Sequence, residues 1–112
     1  MNKLHTVKNN YDFDRIIKNN KAYKYKDYII YLEKVENLNY KFGLSVGKKI
    51  GNAVIRNKIK RQLREIISEN DYQKNFDCII IVKKEICTAS YLAIKEDINE
   101  TFKKLRLVKE NQ

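Results

Sequence analysis

The side chains that could do chemistry in this sequence are cations gathered in one segment. Positions 37 to 64 contain no Asp or Glu, and the basic residues there are Lys41, Lys48, Lys49, Arg56, Lys58, Lys60, Arg61 and Arg64. The net charge of the chain is +10, so this segment accounts for most of it. All three glycines, at positions 43, 47 and 51, fall in the same window, and glycine lets another backbone approach closely. Clustered cations bind phosphate, so the segment predicts recognition of a nucleic acid.

Apolar residues at helical spacing predict that most of these cations share one side of a helix. The apolar stripe consists of Ile55, Ile59, Leu63, Ile66 and Ile67. At about 100° per residue, the opposite side holds Asn57, Lys60, Arg61 and Arg64, with Arg56 and Lys58 at its borders. The pattern therefore separates a face that packs in the core from a face that can meet a partner.

The start of this predicted helix has the features of a phosphate site. Asn52 is a suitable N-cap, and Lys48 and Lys49 come just before it. A helix built for stability alone favours acids in its first turn, whereas the first acid here is Glu65. Backbone N–H groups and cations that meet at a helix start bind phosphate. The alternatives are a basic face that is only solvated, and a DNA-reading helix, which would need more polar base-reading residues and a dimer element.

Other candidate chemistry is sparse. Cys78 lies in an apolar run, where a small buried hydrophobic residue is expected, and Cys87 follows in the next turn. Two cysteines nine positions apart, with His5 near the opposite end of the chain, do not make a zinc site. Neither cysteine has a base partner, and the acids do not cluster outside helical turns. We expect no catalytic side chain and no metal site in the protein.

The motif in the basic segment is specific enough to suggest a family. Residues 48–65 read KKIGNAVIRNKIKRQLRE, which closely resembles the signature of the family of bacterial ribonuclease P protein components. Phe42–Val46 just before it is also similar to that family, as is the spacing of Asp12–Phe13 and of Lys83–Lys84. The resemblance covers most of the chain. Lys58 departs from it, because many members carry Arg there, and Lys keeps the charge without the bidentate geometry.

The resemblance implies a subunit of ribonuclease P, which matures the 5′ end of precursor tRNA. In that family the RNA performs the hydrolysis with bound Mg²⁺, and the protein binds both the catalytic RNA and the single-stranded leader of precursor tRNA. The RNA-binding residues implied are Lys48, Lys49, Arg56, Asn57, Lys58, Lys60, Arg61 and Arg64. The leader-binding cleft implied consists of Phe13, Ile17, Tyr31, Gly43, Ser45, Lys83 and Lys84, although position 17 is often aromatic in the family. The alternative is a structural ribosomal or RNA-chaperone protein without a role in cleavage.

The remaining patterns predict an α+β fold around the basic helix. In chain order they are a helix at 10–19, strands at 26–35 and 40–46, the basic helix, a strand at 76–82 and a helix at 88–110. Alternation places Gly43 and Ser45 on a small polar strand face, which with Tyr31 could receive a nucleotide. We expect an α/β sandwich with helices on one side of the sheet and part of its other face open. The resemblance implies a mixed sheet of four strands and a left-handed β-α-β crossover, against the usual right-handed form.

Length and composition fit one RNA-binding domain, residues 1–112. The chain is 43% hydrophobic and 34% charged, which is typical of a globular protein rather than a disordered one. No apolar run approaches the roughly 18 residues that a membrane span needs, and Met1 to His5 is not followed by a signal-peptide core. We expect a cytoplasmic protein with RNA partners, no membrane and no small-molecule substrate.

Overall fold

The computed structural model describes residues 10–36 and 38–109, which form three α-helices and one sheet. The elements are α1 (Asn10–Asn19), β1 (Ala22–Lys24), β2 (Tyr28–Lys34), β3 (Tyr40–Ser45), α2 (Ala53–Ser68), β4 (Phe76–Val82) and α3 (Tyr91–Lys104). Short 3-10 helices span Lys48–Ile50 and Lys84–Thr88. The expectation for His5 lies outside the described residues, and so does Glu110, where the last helix was predicted to end. The predicted α+β class is confirmed.

The sheet has four strands in the order β1-β2-β4-β3. β4 pairs antiparallel with β2 and parallel with β3, so Ile79 lies between Tyr31 and Gly43. The pairing confirms the mixed four-stranded sheet, and it makes β3-α2-β4 a crossover between parallel neighbours. The left-handed sense of that crossover stays a prediction. The residue patterns missed β1, because a strand of three residues is too short to show alternation.

The larger core lies on the sheet face covered by α2 and α3. It includes Tyr28, Ile30, Phe42, Cys78 and Ile80 from the strands and Ile94, Ile98 and Phe102 from α3. α2 contributes Ile59, Leu63, Ile66 and Ile67, as predicted. The prediction that Ile55 belongs to the same buried stripe is wrong, because Ile55 is 42% exposed. The first turn of α2 extends past the core, and the Ile55 side chain lies over Gly51 instead.

The last helix is shorter than its apolar spacing predicted. Ser90 is its N-cap and accepts a hydrogen bond from the Ala93 N–H at 3.1 Å, which sets the start after position 88. At the other end Arg106 adopts a φ of 60°, and the Leu107 N–H bonds to the Phe102 carbonyl at 3.0 Å. This is the hydrogen-bond pattern of a Schellman C-cap. Apolar spacing continues past it because the following segment also packs against the core.

The opposite face of the sheet carries α1. Ile16 and Ile79 form a small buried cluster there, with Phe13, Ile17 and Tyr31 packed around it. Alternate residues of a strand face opposite sides, so this cluster is separate from the larger core. Helices therefore lie on both sides of the sheet, and α1 covers part of the face that was expected to be open.

Candidate nucleic-acid interface

The start of α2 is built by three local hydrogen bonds and one glycine. The Asn52 side chain accepts from the Ile55 N–H at 3.0 Å, which confirms the predicted N-cap. Arg56 donates through Nε to the Gly51 carbonyl at 3.1 Å, and its backbone N–H bonds to the Asn52 carbonyl. Gly51 has a φ of 157°, and a Cβ there would lie 3.0 Å from Ile55 Cδ1. The turn thus requires glycine and holds the Arg56 guanidinium beside the helix start.

The basic surface is the set of polar residues around α2 that the sequence singled out. It consists of Lys48, Lys49, Arg56, Asn57, Lys58, Lys60, Arg61 and Arg64. Arg56 and Lys60 are half-buried and the others are exposed, so the helical spacing predicted the exposed side of α2 correctly except at Lys60, which lies at its border. Lys41 does not belong to it, because it lies on β3 opposite Asp77.

The cations of the basic surface have no acidic partners in the part of the chain that the structure describes. The ion pairs found between described residues join Arg15 to Asp12 and Glu33, and Lys95 to Glu69. The first turn of α2 carries no acid, and neither does the 3-10 helix before it. Cations left unpaired at the positive end of a helix dipole raise the local positive potential, which favours a polyanion.

An apolar feature at the same place was missed by the sequence analysis. Val54 is 76% exposed beside Ile55 in the first turn of α2. The signal for it was present, because Val54 falls outside the stripe that begins at Ile55. Val54 and Ile55 are two exposed apolar side chains among the cations, and they can contact a ligand through apolar surface.

On the other face of the sheet, Phe13 fills the space above Gly43. A Cβ at Gly43 would lie 2.6 Å from Phe13 Cζ and 2.7 Å from Ile79 Cδ1, so only glycine fits under this ring. Gly43 is buried, and the room that it was expected to leave for a nucleotide is occupied by Phe13. Ile17 and Tyr31 lie beside the ring and are half-buried. We call these three side chains, together with the strand row beside them, the candidate cleft, because the sequence assigned the leader-binding residues to this place.

The sheet register defines that strand row. The row next to Tyr31, Ile79 and Gly43 consists of Lys24, Ile29, Ile81 and Ser45. Lys24 is exposed and the other members of this row are half-buried, so the row is the accessible part of the face. Sequence reasoning placed only Ser45 here. Ile81 was hidden in the continuous apolar run of β4, and only strand pairing could bring Ile29 beside it.

Lys83 and Lys84 directly follow β4, but they differ in their surroundings. Lys83 Nζ donates to the Tyr25 carbonyl at 3.1 Å, which holds the half-buried side chain near the β1–β2 turn. Lys84 is exposed at the start of a 3-10 helix. The structure therefore puts Lys83 near the accessible row and leaves Lys84 on the surface.

The cleft and the basic surface are joined through β3. Ser45 ends that strand, and Lys48 begins the next element three positions further along the chain. Three residues span at most about 11 Å, which is within the reach of a few nucleotides. One RNA strand, or two RNA partners side by side, could therefore contact both surfaces.

The other end of the cleft is acidic. Glu33, Asp77 and Lys41 are register partners across three strands, and α1 places Asp12 and Arg15 above them. Burial raises the pKa of Asp77, while Lys41 acts in the opposite direction. Asp77 Oδ1 is buried, and no described group hydrogen-bonds to it. This end of the cleft is therefore unfavourable for a phosphate.

Within 10–36 and 38–109, no three His, Cys, Asp or Glu side chains come together as metal ligands. Cys78 is fully buried, and burial raises the pKa of its thiol. Among the helices of the same ranges, none has the length and apolar content to cross a membrane.

Comparison with known proteins gives one consistent result. The family model described as Ribonuclease P matches residues 1–106. The chain is 36% identical over 107 residues to the ribonuclease P protein component of Bacillus cereus strain G9842, with 93% of each chain covered. The ribonuclease P protein of Staphylococcus aureus superposes with a TM-score of 0.84 at 30% identity, covering 96% of this chain and 100% of that one. The protein from Thermotoga maritima gives 0.80 at 25% identity, covering 89% and 96%.

Proposed function

The chain belongs to the ribonuclease P protein family, the protein part of a ribonucleoprotein endoribonuclease, and from this membership we propose that it binds two RNAs through separate surfaces. The basic surface on α2 binds the catalytic RNA subunit. The cleft between α1 and the sheet binds the single-stranded 5′ leader of precursor tRNA. The family membership agrees with the role in tRNA maturation that the sequence motif implied.

One observation supports the first assignment most strongly: the cations around α2 have no acidic partners among the described residues. A folded RNA offers closely spaced phosphates, and each phosphate that is neutralised releases condensed counterions. The exposed Val54 beside these cations adds apolar contact area for a ribose or a base. Neighbouring cations repel one another unless anions neutralise them. Because no described acid does so here, the surface favours binding of an external polyanion.

The second assignment is supported by the shape and chemistry of the cleft. Phe13 and Tyr31 offer aromatic rings, and Ile81 and Ile29 offer a flat apolar floor that ends at Ser45. Stacking on an aromatic ring is worth about 1 to 3 kcal/mol per base and tolerates any sequence. A leader that differs from one tRNA gene to another can be bound in this way.

Mg²⁺ is the metal that the family implies for the hydrolysis. The described carboxylates do not form a site that fits it, because no three of them converge. We propose that the ion is held by the RNA, and no step of the reaction is assigned to a protein-bound metal. The protein would act by binding and orienting RNA, and it would work in the cytoplasm where precursor tRNA is made.

One comparison of affinities distinguishes this function from that of a general RNA-binding protein. The holoenzyme, assembled from this protein and its catalytic RNA, should bind precursor tRNA more tightly than mature tRNA, because only the precursor has a leader. Shortening the leader to one nucleotide should remove most of that preference. Tyr31→Ala should weaken precursor binding and leave mature tRNA binding unchanged.

Two outcomes would contradict it. Equal affinity of the wild-type holoenzyme for both tRNAs would remove the leader-binding role and favour a structural or chaperone function. If folded Tyr31→Ala lost affinity for both tRNAs equally, the leader cleft would lie elsewhere, since Tyr31 would then support the assembly as a whole.

A further inference from the structure

A polar clamp holds α1 on the sheet. Both carboxylate oxygens of Glu33 on β2 are engaged: Arg15 Nη2 lies 3.1 Å from Oε1, and Asn20 Nδ2 lies 3.2 Å from Oε2. Arg15 also donates through Nη1 to Asp12 Oδ1 at 2.9 Å. Asn20 also donates to the Ile16 carbonyl at 2.9 Å, at the end of the helix. Glu33 therefore contacts α1 near its middle, through Arg15, and just after its C-terminal end, through Asn20.

The clamp matters because the apolar attachment of α1 is small. Ile16 is the one residue of α1 that is fully buried, whereas α2 and α3 each bury four residues. Phe13 and Ile17 pack against the sheet but are half-buried. A helix with so little buried apolar area depends more on polar contacts for its position.

The ion pair between Arg15 and Glu33 is also partly shielded from solvent, which strengthens it. The side chains of Arg15 and Glu33 are 34% and 22% exposed. Charge-assisted hydrogen bonds that are partly buried are stronger and less screened than pairs on the open surface. Arg15 is occupied by two carboxylates, so it does not serve as a phosphate contact although it lies on the helix that borders the cleft.

We propose that Glu33 is a positioning residue for the leader cleft. Through Arg15 and Asn20 it fixes α1, and with it the wall formed by Phe13 and Ile17, at a set distance from the sheet floor. The inference rests on the proposed leader-binding role of that cleft. It means that discrimination of precursor from mature tRNA depends on an ion pair that touches no RNA.

The test uses the holoenzyme with Glu33→Ala and Glu33→Gln. Dissociation constants are measured for precursor tRNA with a leader of several nucleotides, for precursor with one leader nucleotide and for mature tRNA. Glu33→Ala should weaken binding of the long-leader precursor about fivefold, or about 1 kcal/mol, and leave the other two ligands unchanged. Glu33→Gln should lose less affinity than Glu33→Ala, because its carbonyl oxygen can still accept from Arg15 although its amide nitrogen cannot accept from Asn20.

Glu69→Ala is the matched control. It removes the 2.8 Å ion pair with Lys95 between α2 and α3, away from the cleft, and should change none of the three affinities. Hydrogen exchange on the protein supplies a second measurement. Amides of α1 should exchange faster in Glu33→Ala, while those of α2 and α3 keep their protection.

The outcomes separate the inference from the function on which it rests. Wild-type affinity for the long-leader precursor in Glu33→Ala, or an equal loss for all three ligands, overturns the positioning role. Faster exchange throughout the protein does so as well, since it would show a general loss of stability. A wild-type holoenzyme without leader preference instead refutes the leader function, and unchanged α1 exchange in Glu33→Ala would then also refute the clamp.

Discussion

Removing three cations from α2 should flatten the salt dependence of binding to the catalytic RNA. The perturbation is the triple variant Arg56→Ala, Lys60→Ala and Arg64→Ala. Arg64 lies on the exposed face, and the half-buried Arg56 and Lys60 lie at the border of the buried stripe. Alanine has the highest helix propensity, so α2 should keep its structure. The change also removes the hydrogen bond from Arg56 Nε to the Gly51 carbonyl, which costs about 0.5 to 1.5 kcal/mol and should leave the protein folded.

The size of the effect follows from the number of cations. Seven lysines and arginines belong to the basic surface. If five or six contact phosphate, the slope of log affinity against log salt is about −4 to −5, and affinity falls about 300- to 1,000-fold between about 50 and 200 mM salt. The triple variant keeps two or three contacts, which gives a slope of about −2 and a loss of about 10- to 30-fold over the same range.

The assay is a titration of catalytic RNA with the protein at several salt concentrations. The matched control replaces three exposed lysines elsewhere, Lys74, Lys103 and Lys104, by Ala. It has the same net charge as the triple variant and should keep the wild-type slope. A wild-type slope in the triple variant would refute the assignment of the RNA surface to α2. Equal flattening in both variants would show that only net charge matters.

Three further predictions concern stability. Leu63→Ala should lower the free energy of unfolding by about 2 to 5 kcal/mol, because it leaves a cavity in the core, whereas Arg61→Ala at an exposed position should change it by less than about 1 kcal/mol. Denaturant unfolding measures both, and a large loss in Arg61→Ala would contradict the assignment of faces. Gly43→Ala should cost about 1 to 3 kcal/mol in the same measurement, because its Cβ would lie 2.6 Å from a ring carbon, and a neutral result would contradict that packing. Burial raises the pKa of Asp77 in the folded state, so its ionisation opposes folding and stability is lost as pH rises through that pKa. Asp77→Asn should therefore raise the melting temperature at neutral pH, with an advantage that shrinks below the ordinary carboxyl pKa of 3.8; a constant difference across pH would contradict it.

Local patterns predicted the elements whose signals are complete within a few residues. The bounds of α1 and β4 and the N-cap at Asn52 agree with the structure. Periodicity failed where tertiary contacts decide the outcome. Ile55 has helical spacing but lies beyond the core, and the apolar spacing after Lys104 continues through a loop that Arg106 turns away from the helix.

The candidate site was predictable to the extent that it is contiguous in sequence. The cations of α2 could be assigned to one face because they lie within a single helix. The accessible sheet row could not, since Ile29 and Ile81 become neighbours only through the pairing of β2 with β4. The same limit applies to the clamp, where Glu33 meets Arg15 across 18 positions of sequence.

The most direct test of the central claim is cleavage of precursor tRNA by the cognate catalytic RNA at low Mg²⁺, with and without this protein. The protein should raise the rate of 5′ maturation, and the gain should depend on the length of the leader. The triple variant of α2 should restore the gain only when salt is lowered, because it is impaired in assembly with the catalytic RNA. Catalytic RNA that cleaves equally well with and without the wild-type protein would show that the protein has no role in cleavage.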